Sequence, residues 1–271
     1  MSKESGQLEV KDGTIHFECA GRGEPVVFLH GFGLDLRMWE PQFDALQSAF
    51  LLIRYDLRGF GRSSLPTDAP YAHEDDLHAL LSHLGALPAH VVGLSMGGRM
   101  ALRFAAGYPR AARSLVLADS ALDGQHWSPD WQARWNGMCE AAQGGELADA
   151  KRLWLEHPLF NSTRDHPEAA SLLTRMVGDY SGWHWHNRDP ARAPTPPLAN
   201  RLGEIRAPCL VVTGAQDIPD FHNVAQHLMQ NLSAAQRCIL DGAGHMVNLE
   251  APRAFDEALL AFWRGQESGG A

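Results

Sequence analysis

Three side chains of unlike chemistry each follow the end of an apolar run. Ser95 lies in Val91-Val92-Gly93-Leu94-Ser95-Met96-Gly97-Gly98, Asp217 in Gly214-Ala215-Gln216-Asp217, and His245 in Gly242-Ala243-Gly244-His245. A serine hydroxyl is a weak nucleophile unless a base takes its proton, and an imidazole base needs a carboxylate to fix its tautomer. Together the three types could carry out acyl transfer. The Gly-x-Ser-x-Gly stretch runs from an apolar strand into a helical pattern, so it must turn sharply. Gly93 and Gly97 then stand where strand and helix crowd together, and Ser95 takes the strained position. Its hydroxyl projects from the turn, and the Met96 N–H opens a helix, where negative charge is favoured. Taken singly, the serine fits a glycine-rich turn, Asp217 a turn aspartate and His245 an incidental histidine. Their shared position at the C-terminal ends of three strands argues for a site, because open parallel sheets bind there.

A fourth part precedes them. Pro25-Val26-Val27-Phe28-Leu29-His30 is an apolar run that ends in His30-Gly31-Phe32-Gly33. The Phe32 N–H can point at the same oxygen as the Met96 N–H. Two such donors hold a tetrahedral oxyanion, each removing roughly 3–4 kcal/mol of barrier.

The elements that must position these groups are legible from periodicity. Leu8-Glu9-Val10 and Ile15-His16-Phe17 alternate around Asp12-Gly13, a hairpin signal. Beyond it, strands over 25–30, 51–56, 91–94 and 114–119 alternate with helical patterns, as do strands over 209–214 and 237–240 later in the chain. The nearly continuous apolar strands predict an α/β fold with a mostly parallel, twisted sheet covered by helices on both faces. Between about 122 and 200 no clean strand appears, six of the eight tryptophans fall there, and helices are predicted over 130–143, 145–156 and 167–178. The expected organisation is a core of residues 1–121 and 201–271 interrupted by a helical insertion, 122–200. The tail from Gly265 reads as small, polar and frayed.

Composition narrows the classes. A net charge of −9 disfavours nucleic-acid and anionic-membrane surfaces. The four cysteines, Cys19, Cys139, Cys209 and Cys238, show no CxxC spacing, and three sit in strand-like runs as small hydrophobes. With no apolar leader and no run of membrane-spanning length, a soluble, cytoplasmic protein is expected. No cofactor or metal is called for, the partner is a small molecule, and a homodimer is left open.

With these motifs assembled, the chain resembles the α/β-hydrolase fold enzymes over about residues 7–121 and 201–265. The order Ser95, Asp217, His245 is that family's order of nucleophile, acid and base. The resemblance implies that His30-Gly31-Phe32-Gly33 is the oxyanion loop and that 122–203 is a helical cap over the site. It also implies that Asp56-Leu57-Arg58-Gly59-Phe60-Gly61-Arg62-Ser63 is largely structural, which makes Arg58 a poor catalytic residue. Small carboxylesterases, enol-lactonases and carbon–carbon bond hydrolases share the pattern. The last usually carry His-Gly-x-Gly-Pro-Gly, whereas this chain reads His30-Gly31-Phe32-Gly33-Leu34-Asp35. Ser95 at the elbow excludes the aspartate-nucleophile dehalogenases and epoxide hydrolases.

The leading expectation is a serine hydrolase of a small ester or lactone. Alternatives are a carbon–carbon bond hydrolase or acyltransferase using the same residues, and a ligand-binding signalling protein on a hydrolase scaffold. Asp119 is the main rival to Asp217 as acid, and Asp220 a lesser one. Trp39, Trp183, Trp185 and Met246 are expected to line the pocket. In Tyr180-Ser181-Gly182-Trp183-His184-Trp185-His186 the two histidines would share a metal only if the segment were extended, and no further ligand stands at a matching spacing.

Overall fold

The computed structural model describes residues 3–268. Its centre is an eight-stranded sheet made of β1 (Glu4–Val10), β2 (Gly13–Gly21), β3 (Glu24–Leu29), β4 (Phe50–Tyr55), β5 (Ala89–Leu94), β6 (Ala112–Ala118), β7 (Cys209–Gly214) and β8 (Ala235–Leu240), in the spatial order β1-β2-β4-β3-β5-β6-β7-β8. Only β2 runs antiparallel to its neighbours; the rest pair in parallel. The β1–β2 turn is Lys11-Asp12, with Asp12 at φ +58°, so Asp rather than Gly takes the left-handed position.

The central strands are apolar on both faces because helices cover both. Val26, Val27, Phe28 and Leu29 of β3 and Val91, Val92 and Leu94 of β5 are fully buried. The edge strand β8 differs: Arg237 and Ile239 face solvent, and among the described residues no further strand pairs with it.

Each helix supplies one apolar stripe. In chain order α1 (Glu40–Leu46) follows a short 3-10 turn, and α2 (His73–His83) follows β4. Next, α3 (Met96–Gly107) leaves β5 directly, with Met100, Ala101, Phe104 and Ala105 inward. Between β6 and β7 come α4 (Pro129–Gln143), α5 (Leu147–Leu155), α6 (Pro167–Asp179) and the single turn α7 (Trp183–His186). The sheet resumes with α8 (Pro219–Asn231), the short α9 (Val247–Glu250) and α10 (Pro252–Ser268). The run from Gly265, expected to fray, stays helical to Ser268, while 269–271 lie outside the described residues. Among the described residues no helix is long and apolar enough to cross a membrane.

Candidate active site

Ser95 ends β5 and caps α3 at φ +56° and ψ −115°, a conformation a non-glycine residue adopts only where its surroundings force it. Three backbone hydrogen bonds do the forcing. Its N–H donates to the Ala118 carbonyl (2.9 Å), and its carbonyl accepts from Arg99 (3.2 Å) and Ala121 (3.0 Å). The expectation for the two glycines holds in detail. A Cβ at Gly93 would stand 2.3 Å from the Gly97 carbonyl, and one at Gly97 2.2 Å from the Leu29 oxygen. The turn therefore has no room for a side chain at either position.

Asp217 and His245 come from the loops after β7 and β8. Gly214, the last residue of β7, lies so close to the second loop that a Cβ there would meet the Gly244 oxygen at 2.1 Å. That contact brings acid and imidazole together: His245 Nδ1 and Asp217 Oδ2 are 2.8 Å apart, both side chains almost fully buried. The other Asp217 oxygen accepts the Ile218 N–H at 2.7 Å. Phe221, on α8, packs on the imidazole with ring centres 4.3 Å apart, and lines the same cavity as Ser95.

The rival acids have other work. Asp119, at φ +38° and fully buried, accepts from the Gly214 N–H at 3.1 and 3.3 Å. Ligand atoms of Asp119, Asp217 and His245 lie within 4.8 Å of one another, but the imidazole nitrogen pairs with Asp217. Burial, then the Asp217 charge, then a hydrogen bond to Asp217 push the Asp119 carboxyl well above the usual carboxylate range. Asp220 accepts from the Ser128 N–H (2.7 Å) and hydroxyl (3.0 Å) and so ties α8 to the start of α4.

The loop after β3 is fixed by His30. Its Nε2 accepts the Leu57 N–H (2.9 Å), which leaves Nδ1–H to donate to the Gly31 carbonyl (2.8 Å). A Cβ on Gly31 would stand 3.6 Å from the Ser95 Cβ, so this loop lies against the elbow. Phe32 and Met96 flank the point of contact, and among the described residues neither backbone N–H donates to a protein acceptor. Arg58, by contrast, is a girder: it forks onto Asp76 (3.0 and 2.7 Å) and donates to the Lys11 and Asp12 carbonyls.

Ser95 and Met96 open into a cavity of about 490 Å³. Trp127, Trp131, Trp135 and Trp154 from the inserted segment, with Phe32 and Phe221, make an aromatic wall; His73, Arg99, Arg103 and Asp189 make a polar end. Four expected wall residues are elsewhere. Trp39 is fully buried between Phe28 (5.0 Å) and Phe255 (6.1 Å), packing the first helix onto the sheet. Trp185 is buried against Tyr180 (5.1 Å), beneath the wall, and Trp183 is half-buried on the outer side of α7. Met246 is fully buried and contributes its N–H to Glu250. Sequence spacing locates the aromatic-rich segment, but which ring faces the cavity depends on the helix packing.

The His-rich segment is a helical turn, so His184 and His186 do not share a side. His184 stacks on Phe60 (4.4 Å) and pairs with the Tyr180 hydroxyl (2.9 Å), and burial pushes it down to about 4; His186 is exposed. Sequence reasoning also missed Glu250. Its carboxylate accepts from the Gly244 and Met246 N–H groups beside His245 and from the hydroxyls of Ser162 and Thr163 in the inserted segment. No motif marks it. Arg99 was findable, since it stands four residues after Ser95 on the same helix face.

Comparison with known proteins agrees with this geometry. The alpha/beta hydrolase fold family matches residues 24–252. A 3-oxoadipate enol-lactonase of Acinetobacter baylyi is 29% identical over 244 residues, 88% of this chain and 87% of that protein. A 2-hydroxy-6-oxononadienedioate/2-hydroxy-6-oxononatrienedioate hydrolase of Burkholderia vietnamiensis is 28% identical over 271 residues, covering 94% of this chain and 93% of that one. The thermophilic esterase of Thermogutta terrifontis superposes with a TM-score of 0.80 at 25% identity, covering 97% of this chain and 98% of its own. The sheet order, the strained turn at Ser95 and a family match over most of the chain lead to one conclusion: this protein belongs to the alpha/beta hydrolase fold family and is a hydrolase.

Proposed function

We propose that the protein is a cofactor-independent serine hydrolase that opens a small carboxylic ester or lactone through an acyl-enzyme. The observation that carries the reading is the buried Asp217–His245 pair packed on Phe221, a ring that lines the same aromatic-walled cavity as Ser95, itself held at φ +56°. His245 Nε2 takes the proton as Ser95 Oγ adds to the carbonyl. The Phe32 and Met96 N–H groups receive the oxyanion. His245 then returns the proton to the leaving alkoxide, which in a lactone stays tethered. Water, deprotonated by the same imidazole, attacks the acyl carbon and frees Ser95. Asp217 remains ionised throughout and holds the tautomer that presents Nε2.

The enol-lactonase relative and the esterase neighbour support an ester or lactone as the bond cleaved. A second reading, cleavage of a carbon–carbon bond beside a ketone, draws on the relative that hydrolyses a hydroxy-oxo diacid. Product analysis separates them: a lactone yields one ring-opened hydroxy or keto acid, whereas carbon–carbon cleavage yields two fragments.

The test is labelling by a fluorophosphonate probe of wild type and Ser95→Ala, with a short-chain ester assay alongside. Labelling and turnover that both vanish in the variant support the proposal. A well-folded wild type that neither labels nor turns over any ester overturns it, and ligand-induced thermal stabilisation would then favour a binding role.

A further inference from the structure

The cavity has two chemically different ends, and the polar end holds a cation with an unmet hydrogen-bonding capacity. Arg99 lies on the first turn of α3, its N–H bonded to the Ser95 carbonyl, and both side chains line the cavity. The Arg99 side chain is one-third exposed where it lines the cavity, and its buried Nε has no hydrogen-bond partner. Its nearest carboxylate is Asp123, at 4.0 Å. Asp123 is already occupied, because Arg103 forks onto both its oxygens at 2.7 and 2.5 Å. The other acid of the cavity, Asp189, accepts from the Tyr71 hydroxyl and the Ala191 N–H on one oxygen, and its second oxygen lies 3.6 Å from His184.

Charge counting at this end gives the class of ligand. Arg103 and Asp123 cancel as a bidentate pair. His73 stays neutral, burial first and then the Arg103 charge depressing it well below the ordinary histidine range. Burial also works against the Arg99 charge, Asp123 supports it, Arg103 opposes it, and Asp189 supports it to a smaller extent. A guanidinium in that situation, always protonated and presenting a planar fork, gains most from a small carboxylate. With Asp189 counted, the end is close to neutral overall, so the Arg99 fork suits a small monoanion, whereas a phosphate dianion would also meet the Asp189 carboxylate.

We infer that the substrate is a carboxylate-bearing ester or lactone, whose free carboxylate docks on Arg99 while its scissile carbonyl rests on Ser95 and its apolar part lies along the tryptophan wall. This rests on the hydrolase reading. It commits that reading to half-esters of short dicarboxylic acids, or lactones with an acidic side arm, over neutral esters of the same shape.

The experiment compares monoethyl glutarate with the ethyl ester in which an isopropyl group replaces the free carboxylate, followed by pH-stat in wild type, Arg99→Met and Arg99→Lys. Wild type should favour the anionic ester in kcat/KM by about ten- to a hundred-fold, the range expected of a charge-assisted pair. Arg99→Met should bring that ratio to about one, chiefly through KM, and Arg99→Lys should keep part of it. A wild-type ratio of one or less, or a ratio unchanged in Arg99→Met, overturns the inference while Ser95-dependent turnover of the neutral ester leaves the hydrolase reading standing. If neither ester is turned over and no probe labels Ser95, the hydrolase reading fails and calorimetry decides the anion site. Monomethyl glutarate binding to Ser95→Ala over dimethyl glutarate, lost on adding Arg99→Met, supports it; equal binding overturns it.

Discussion

The C-terminal edge of the sheet and the helices inserted between β6 and β7 are built by different means. At the edge, strand pairing continues past the strand ends into the functional loops: Ser95 N–H to Ala118, Asp119 N–H to Val212, Ala215 N–H to Leu240. These bonds are backbone bonds, so the positions of Ser95, Asp217 and His245 depend little on neighbouring side-chain identity. The inserted helices are held mainly by rings. Trp127 stacks on Trp131 at 4.1 Å, and Phe32 meets Trp135, Trp154, Tyr180 and His184 edge-on within 5.8 Å. The fifteen-residue α4 fully buries only Met138 and Ala142. Under the proposed function the sheet edge carries the chemistry and the inserted helices shape the substrate pocket. The two regions meet at Phe32, at the Asp220–Ser128 joint and at the Glu250 carboxylate.

The largest expected effects come from the edge. Ser95→Ala or His245→Ala should lower kcat by a factor on the order of 10⁶, and Asp217→Asn by about 10⁴, with melting temperature little changed. Initial rates against a Ser95-dependent ester measure this, and a loss under tenfold in any of the three would break the assignment of chemistry to the edge.

Glu250→Gln strikes the joint. Its amide nitrogen would face two donors of the buried cluster, so stability should fall by about 2–3 kcal/mol in urea unfolding and kcat should fall with it. Unchanged kcat in a destabilised protein would mean that the inserted helices do not hold His245 in place.

Acid should act on both regions. Burial pushes His157 and His184, both in the inserted segment, down to about 4. A histidine depressed below its unfolded value of about 6.5 leaves the folded state fully stable above that pH. The stability is then lost as pH falls from about 6.5 towards 4, because the unfolded chain binds the extra protons. Burial depresses His16, His30, His73 and His90 of the core as well, so tryptophan fluorescence, which reports mainly on the insertion, and the far-ultraviolet circular dichroism of the sheet should change together as pH falls through that window. A fluorescence change well before the circular dichroism would show that the insertion unfolds on its own.

The smallest effect tests the rival acid. Asp119→Asn can still accept the Gly214 N–H and removes only a carboxyl that burial pushes up, so it should cost less than tenfold in kcat; a loss matching that of Asp217→Asn would make Asp119 the functional acid.

The strands, the strained serine turn and the places of Asp217 and His245 just past strand ends were legible because each rests on local signals: apolar runs, glycines where nothing else fits, and polar residues at the ends of those runs. The same spacing rules mark the tryptophan-rich insertion but not its inward faces. Trp39, Trp185 and Met246 went into cores, while Trp127, Trp131, Trp135 and Trp154 reached the cavity, because helices packed by ring contacts settle their rotation only against one another. Glu250 and the commitment of Asp123 to Arg103 were invisible for a related reason. A carboxylate's role is set by which donors the fold brings to it, and Ser162 and Thr163 lie 88 and 87 residues before Glu250 in the chain. The sequence by itself determined the sheet, the elbow and the order of the reactive groups, since short-range sterics and strand periodicity specify them. Tertiary structure alone decided which acid the imidazole meets, which rings face the substrate and which arginine is left without a partner, since those depend on long-range packing.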